Sequence, residues 1–231
     1  MKGFAHIDTW VFDLDNTLYP ASCRLFDQID VRMGEYVAQL LGVDYSEAKL
    51  RQKQLFYKYG TTLRGLMVEH GVQPDGFLDY VHDIDHTPVP PNRALNAALH
   101  ALPGRKLVFT NGTVSHAEKV LARIGVTHHF GDIFDIVQSE YIPKPEMEPY
   151  RKFAAQTGIR PGTSAMFEDI ARNLEVPHEL GMTTVLVVSA ENRDAEHLNR
   201  ATGGTDKAHI HHVTDDLAGF LGRLAANQID S

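Results

Sequence analysis

The sequence predicts an α/β protein in which a parallel sheet carries an inserted helical domain. Short apolar runs rich in β-branched and aromatic residues recur along the chain, and segments with helical spacing follow them. This alternation is typical of βα units, whose strands pair in parallel. A second observation is that residues 20–91 keep helical spacing without any convincing strand.

Five strands are predicted, each as a short apolar run bounded by polar or turn residues. Two helices are predicted from the glycines that follow them, because glycine readily adopts the left-handed conformation after a last helical turn. These helices cover residues 114–124, before Gly125, and residues 171–180, before Gly181. The predicted strands cover residues 9–12, 106–109, 133–137, 163–167 and 183–188.

The inserted helical domain is predicted at residues 20–91, so that residues 1–19 and 92–231 form the core that bears the sheet. Helical periodicity recurs over residues 29–41 and again over 50–56. The end of the insertion is marked by the segment Thr87-Pro88-Val89-Pro90-Pro91. Closely spaced prolines fit a stiff connection better than a helix or a central strand.

The composition is that of an ordinary globular protein with no broad affinity for polyanions. Apolar residues make up 43% and charged residues 23% of the 231 residues. The 22 basic and 30 acidic residues give a net charge of −8, which argues against a nucleic-acid polymer or an anionic membrane as partner. Cys23 is the only cysteine, and neither a signal peptide nor an apolar run of the ~18 residues needed for a membrane span is evident. We therefore expect a cytoplasmic protein, and the sequence leaves its oligomeric state open.

Residues suited to catalysis follow four of the predicted strands. The carboxyl ends of parallel strands meet at one edge of a sheet, where ligands of such folds usually bind. This edge would combine carboxylates for a metal, hydrogen-bond donors for an anion, and one cation. The residues are, in chain order, Asp13 and Asp15; Thr110, Asn111 and Gly112; Lys144; and Glu168 and Asp169.

Such a set suits the hydrolysis of a phosphate monoester, which needs charge neutralisation as well as an aligned attack. One carboxylate can stay ionised to attack phosphorus while another gives a proton to the leaving oxygen. Mg²⁺ on oxygen ligands would screen the repulsion between nucleophile and phosphate. The expected metal ligands are Asp13, the backbone carbonyl of Asp15, Asp169 and, directly or through water, Glu168. The expected contacts to the phosphoryl oxygens are the Thr110 hydroxyl, the amides around Asn111 and Gly112, and the Lys144 ammonium.

These four motifs, beginning with Asp13-x-Asp15-x-Thr17, resemble those of the haloacid dehalogenase superfamily of aspartate-nucleophile phosphatases, and the resemblance covers almost the whole chain. It implies a Rossmann-like core in which Asp13 is the nucleophile and Asp15 the general acid and base. It also implies that Thr110 and Lys144 bind phosphate and that Mg²⁺ binds Asp13, Asp15 and Asp169. The insertion resembles the helical cap of the first type in that superfamily. Only 33 residues separate Thr110 from Lys144, which argues against a cap of the second type.

Three shorter segments, at residues 15–20, 59–65 and 109–112, resemble the pyrimidine 5′-nucleotidase branch. The resemblance implies a nucleoside 5′-monophosphate as substrate. Tyr19 and Arg64 are the candidate substrate contacts, since a guanidinium could reach a nucleotide phosphate or a base carbonyl. The alternatives are a phosphatase for a sugar phosphate or phosphoglycolate, a 2-haloacid dehalogenase, a phosphomutase, and a non-catalytic module that binds a phosphorylated ligand.

Two features of the sequence admit a structural interpretation as well as a catalytic one. A second Asp-x-Asp-x-Thr string starts at Asp83 and includes Asp85. The residues before it are too few and too polar for a buried strand, so we expect turn or interdomain residues there. Asn173 is either an ordinary helix residue or one that orients the metal-binding carboxylates.

Overall fold

The computed structural model describes residues 3–189 and 208–229, and one six-stranded sheet lies within them. The strands are β1 (Thr9–Phe12), β2 (Arg105–Phe109), β3 (Asp132–Phe134), β4 (Ser164–Glu168), β5 (Thr183–Val187) and β6 (His212–Thr214). All neighbouring strands are parallel, in the order β3-β2-β1-β4-β5-β6. This is the order of a Rossmann-like doubly wound sheet, and it confirms the predicted α/β fold class.

Helices connect the strands, and five of them, α1 to α5, follow one another between β1 and β2. None of the helices in the described ranges combines the length and apolar character needed to cross a bilayer. The helices are α1 (Leu25–Leu41), α2 (Tyr45–Tyr59), α3 (Thr62–His70), α4 (Pro74–His82), α5 (Arg93–Ala101), α6 (Val114–Ile124), α7 (Met147–Thr157), α8 (Glu175–Glu179) and α9 (Leu217–Ile229).

The helix predicted at residues 171–180 is broken in the structure. A 3₁₀ turn at Ala171–Leu174 precedes the short helix α8. Pro177 has no backbone N–H, so the carbonyl of Asn173 cannot receive the usual helical hydrogen bond from it. That carbonyl instead accepts a hydrogen bond of 2.6 Å from the Tyr150 hydroxyl.

Two strands differ from the prediction by more than one residue at an end. The third strand ends at Phe134 rather than at residue 137, because the Asp135 carboxylate accepts hydrogen bonds from the backbone N–H groups of Val137 and Gln138 and turns the chain. The sixth strand was not predicted. It has only three residues, and its strand character depends on pairing with β5.

The sheet is buried on both faces, and its side chains alternate between two apolar clusters. Trp10 and Phe12 belong to the cluster on one face, and Val11 belongs to the other. The Phe12 and Phe167 rings stack with centroids 4.7 Å apart, across the β1–β4 pair. Burial on both faces is typical of a central parallel strand. The paired backbones and the stacked rings hold β1 and β4 side by side, so the residues that follow the two strands lie close together.

Helices α1 to α4 enclose an apolar cluster of their own, which includes Val37 and Leu66. Ile136, from the loop after β3, is buried in this same cluster. In addition, a Cβ atom at Gly60, in the α2–α3 turn, would lie 3.2 Å from Pro143 Cγ. The inserted helices therefore pack directly on the loop that carries Lys144. The domain boundaries after residues 19 and 91 stay a prediction.

Candidate active site

The predicted catalytic residues converge where the strand order reverses between β1 and β4. The Asp13 N–H donates to the Phe167 carbonyl oxygen (2.9 Å), so the residue after β1 remains in register with β4. Glu168 is the last residue of β4, and Asp169 follows it. Carboxylate oxygens of Asp13, Glu168 and Asp169 lie within 4.8 Å of one another. A topological switch point is where open parallel sheets usually bind their ligands.

Lys144 joins two of these carboxylates. Lys144 is 2% exposed. Its ammonium donates hydrogen bonds to Asp13 Oδ1 (2.7 Å), Glu168 Oε2 (2.9 Å) and the Phe109 carbonyl oxygen (3.0 Å). These three bonds use all three N–H donors of the side chain. Burial alone would lower the pKa of Lys144, but the carboxylates of Asp13 and Glu168 raise it above its usual value. Lys144 is therefore a fixed cation beside the predicted nucleophile.

The acidic cluster carries more negative charge than Lys144 neutralises. Burial, followed by repulsion from neighbouring carboxylates, raises the pKa of Glu168 to about 7 and that of Asp169 well above its usual value. Burial also raises the pKa of Asp13, against the opposing effect of Lys144. A divalent cation would relieve this repulsion, and carboxylate oxygens are the ligands that Mg²⁺ prefers. The donor set thus fits Mg²⁺.

Asn173 acts on this cluster rather than as an ordinary helix residue. Its side-chain Nδ2 donates to Glu168 Oε1 at 2.6 Å, while Lys144 occupies Oε2 of the same carboxylate. Each Glu168 oxygen therefore already accepts one hydrogen bond from a buried side chain. Of the two interpretations of Asn173, the structure supports the orienting one.

In the described part of the chain, the Thr110 hydroxyl of the second motif still has a hydrogen to donate, whereas Asn111 and Gly112 already make hydrogen bonds. The Gly112 N–H donates to Thr110 Oγ1 (2.9 Å), which leaves the Thr110 hydroxyl hydrogen to donate to an anion. The Asn111 side-chain Oδ1 accepts from the Lys144 backbone N–H (2.9 Å) and so ties the second motif to the third. A Cβ atom at Gly112 would lie 3.3 Å from Thr110 Oγ1, so glycine allows the close approach. Substrate contacts by Asn111 and Gly112 stay a prediction.

Asp15 has a separate set of partners. Its Oδ1 accepts hydrogen bonds from the Tyr19 hydroxyl (2.6 Å) and from His116 Nε2 (2.9 Å), whereas Asp13 bonds with Lys144 and Thr17. Burial alone would raise the pKa of Asp15, but His116 and Tyr19 outweigh that effect and lower it. The two aspartates are therefore held in different environments.

His116 is a site residue that the sequence analysis missed. It lies in the first turn of α6, where the Thr113 side chain accepts the His116 backbone N–H and caps the helix. The available signal was a histidine placed four residues after the Thr110-Asn111-Gly112 motif. Tyr19 was expected to contact substrate, and here it is buried with its hydroxyl on Asp15. A substrate contact by Tyr19 stays a prediction.

Arg64 is half-buried in the first turn of α3. The turn that precedes this helix contains Gly60, which packs on the Lys144 loop. Among the described residues, no carboxylate forms an ion pair with Arg64 within 4.0 Å. Its charge is therefore available to a ligand.

The two aspartates of the second Asp-x-Asp-x-Thr string lie outside the cluster of Asp13, Glu168 and Asp169. Asp83 and Asp85 are exposed in the connection after α4, and the Asp85 carboxylate accepts hydrogen bonds from the Thr87 N–H and hydroxyl. Both aspartates line an open cleft of about 850 Å³ that contains none of the predicted catalytic residues. The string is a turn at the junction of the insertion and the core.

Comparison with protein families shows which family the chain belongs to. The family model of the haloacid dehalogenase-like hydrolases matches residues 7–181. Since this is most of the chain, the protein belongs to that family of hydrolases, as the four motifs indicated.

Individual relatives are more distant. Phosphate metabolism protein 8 of Saccharomyces cerevisiae is 26% identical over 193 residues, which cover 76% of this chain and 60% of that protein. The chain thus spans less than two thirds of the length of this curated relative. The haloacid dehalogenase-like fold is shared with an L-2-haloacid dehalogenase from Xanthobacter autotrophicus solved with chloropropionic acid covalently bound (TM-score 0.60, 16% identity, 95% of this chain and 97% of that one). It is also shared with an HAD phosphatase from Thermococcus onnurineus (TM-score 0.61, 15% identity, 94% and 98%). At such identities the likeness shows the fold alone.

Proposed function

We propose that this protein is a Mg²⁺-dependent phosphomonoesterase that forms an aspartyl-phosphate on Asp13 and uses Asp15 as general acid and base. The observation that carries the proposal is the separation of these two carboxylates into different environments. Asp13 lies with a buried cation in an acidic cluster, and Asp15 lies with a tyrosine and a histidine. Paired carboxylates whose surroundings differ are typical of catalysts that need a nucleophile and a proton carrier together.

The proposed reaction has two steps. In the first, an Asp13 oxygen forms a bond to phosphorus, the bond from phosphorus to the ester oxygen breaks, and Asp15 gives its proton to that oxygen to release the alcohol. In the second, water attacks the phosphoryl group, its proton passes to Asp15, and the bond to Asp13 breaks to release phosphate. The lowered pKa keeps Asp15 ionised, which is the form that can accept the proton in the second step. An incoming phosphate anion would raise this pKa by like-charge repulsion and so favour the protonated form needed first.

The chain's own groups divide the remaining work. Lys144 holds Asp13 Oδ1 and fixes the direction of attack, and the Thr110 hydroxyl is free to donate to a phosphoryl oxygen. Mg²⁺ on Asp13 and Asp169, with Glu168 beside it, would screen the charge of the nucleophile from that of the phosphate. Asp15 is predicted to contribute its backbone carbonyl to the metal.

The metal assignment can be tested without an activity assay. Excess Mg²⁺ should raise the midpoint of thermal unfolding relative to protein in chelator, because a ligand that binds only the folded state stabilises it by about 3 kcal/mol at a hundred times its Kd. Asp169→Asn should reduce this increase, whereas Asp83→Asn, in the unrelated string, should leave it unchanged. An equal increase in all three proteins would refute the assignment.

The decisive test of the reaction is a phosphate-release screen. Wild-type protein with Mg²⁺ should release phosphate from p-nitrophenyl phosphate and from at least one metabolite monoester, and Asp13→Asn should not. No release from any nucleotide, sugar phosphate or phosphoglycolate would refute the proposal and favour a phosphate-binding module. Activity on 2-haloacids in excess chelator would instead indicate a dehalogenase, and a labelled bisphosphate intermediate would indicate a phosphomutase.

Nucleoside 5′-monophosphates, pyrimidine ones first, are the proposed substrates. Arg64 supports this proposal, because it is a cation without an ion pair in the described chain and follows the turn that packs on the Lys144 loop. Arg64→Ala should raise KM for a nucleotide about tenfold or more, as expected for a lost charge-assisted hydrogen bond, and should change KM for p-nitrophenyl phosphate less. The matched control is Arg51→Ala, which removes an exposed guanidinium already paired with Glu47. Equal effects of the two changes would argue against a substrate contact by Arg64.

A further inference from the structure

The Asp15 carboxyl is held through one of its two oxygens. Both the Tyr19 hydroxyl (2.6 Å) and His116 Nε2 (2.9 Å) reach Oδ1. Within residues 3–189 and 208–229, no side-chain hydrogen bond to Oδ2 accompanies them. Two hydrogen bonds to the same oxygen fix both the position of the carboxyl group and its rotation, and they leave the other oxygen available to a ligand.

The hydrogen bond to Asp15 requires a hydrogen on Nε2 of His116, because an ionised carboxylate oxygen only accepts. Its Nδ1 lies 3.2 Å from Nε2 of His86, in the connection between the inserted helices and the core. When His86 donates to Nδ1, His116 carries its hydrogen on Nε2 and donates it to Asp15. His116 is 1% exposed, and its ring stacks on that of His82 at the end of α4, with centroids 4.7 Å apart. Packing and hydrogen bonding together therefore hold the ring in place.

We propose that His116 is a positioning residue for Asp15, assisted by Tyr19, and that Asp15 Oδ2 is the oxygen that exchanges the proton with the leaving group and with water. This inference rests on the proposed phosphatase reaction. His116 does not touch the reacting atoms and acts only by holding the carboxyl group through Oδ1. His86 in turn forms a hydrogen bond with Nδ1 of His116, so the junction between insertion and core takes part in orienting Asp15.

A matched pair of variants separates this role from a purely structural one. His116→Gln keeps a side-chain N–H donor at about the distance of Nε2, whereas His116→Met has a similar length and no donor. Both variants should stay folded, which the fluorescence of the single tryptophan, Trp10, can report.

The readout is the dependence of phosphoenzyme formation on the leaving group. p-Nitrophenolate leaves without a proton, whereas the alkoxide of an alkyl phosphate needs one, so only the alkyl ester requires a well-placed Asp15 in the first step. His116→Met should form phosphoenzyme from the alkyl ester about 100-fold more slowly than wild type, within the range that a positioned proton donor contributes. It should form phosphoenzyme from p-nitrophenyl phosphate at nearly the wild-type rate and release a burst of p-nitrophenolate, because water attack is then slow. His116→Gln should recover about tenfold or more of the lost alkyl-ester rate.

The outcomes distinguish the inference from the proposed function. If wild type hydrolyses both esters but His116→Met slows phosphoenzyme formation equally on both, or on neither, the positioning role is wrong. Equal losses in the Gln and Met variants would also refute it. If wild type hydrolyses neither ester, the proposed function fails. In that case ¹⁵N-detected NMR of the histidine rings still tests the hydrogen bond, since His116 should be protonated at Nε2, and protonation at Nδ1 alone would refute the bond itself.

Discussion

Asp13→Asn should abolish turnover and, in the absence of metal, make the protein more stable. The substitution keeps the shape of the side chain and both of its hydrogen bonds. Oδ1 can still accept from Lys144 Nζ, and the new amide nitrogen replaces the oxygen that lies 2.9 Å from Thr17 Oγ1, to which it can donate. What changes is the charge of a cluster in which three carboxylates within 4.8 Å share one lysine.

The magnitude follows from the raised pKa values. The pKa of Glu168 rises from 4.5 to about 7, which corresponds to roughly 3 kcal/mol of lost stability once the group is ionised. Burial is the larger cause of this raised pKa and the Asp13 charge is the next, so removing that charge recovers only part of the lost stability. Asp13 itself no longer has to ionise in a buried position. We therefore expect a gain of about 1–3 kcal/mol in the free energy of unfolding in chelator at a pH of about 8.

The sign of the pH dependence gives a second check. A carboxyl group with a raised pKa in the folded state has no unfavourable effect below its unfolded pKa, and its effect grows as the pH rises toward the folded value. The advantage of Asp13→Asn should therefore vanish near a pH of about 4 and be largest above about 7. Urea denaturation followed by the fluorescence of Trp10, which is fully buried, can measure it.

The control is Asp135→Asn. The Asp135 carboxylate is also buried, but it accepts hydrogen bonds from the backbone N–H groups of Val114, Val137 and Gln138, so its loss should destabilise the protein. If Asp13→Asn is less stable than wild type in chelator at a pH of about 8, or if its gain is the same at all pH values, the description of the acidic cluster is wrong.

Three further changes test other parts of the structure by the same denaturation measurement. Lys144→Met should change stability in the opposite direction and lose about 3–5 kcal/mol, because it leaves buried carboxylates without their cation; an unchanged stability would refute this dependence on the cation. Burial lowers the pKa of His82 from 6.5 to about 4, so stability should fall by roughly 3 kcal/mol as the pH drops between these values and the unfolded chain takes up the proton; His82→Gln should remove that part of the acid sensitivity, and an unaltered pH profile would contradict it. Gly65→Ala should lose about 1–3 kcal/mol, since its Cβ would lie 2.7 Å from Leu55, which is buried. Gly34→Ala should lose less, because its Cβ would meet side-chain atoms of Lys49 and Tyr45, and Tyr45 is exposed and can give way.

The elements that the sequence predicts well are those specified by local pattern. Strand β1 and helix α6 have the predicted bounds, because an apolar run or a cap and a terminal glycine define each of them. Strand β6 depends on its neighbour instead, since three residues with two polar side chains, His212 and Thr214, carry little strand signal of their own. The break before α8 depends on Tyr150, which is distant in sequence and satisfies the carbonyl that Pro177 leaves unpaired.

The candidate site divides in the same way. Asp13, Lys144, Glu168 and Asp169 follow strand ends in recognisable motifs, and the structure brings them together, while their catalytic roles stay predictions. His116 could not be assigned in this way, because it pairs with a residue 101 positions away. A histidine near the start of a helix has no pattern that names its partner, and only the parallel sheet brings the two loops within hydrogen-bond distance.

The burial of Ile136 among the inserted helices bears on how this protein could be redesigned. The apolar interior of the insertion is completed by a side chain from the loop after β3, and Tyr141, in the same loop, packs against it and donates to Asp75 (3.3 Å). A chimaera that receives only residues 20–91 from a relative would pack foreign helices against the native Ile136 and Tyr141. Transplanting a new substrate preference should therefore require the exchange of two separate stretches of chain, with residues 136–141 moved along with the insertion.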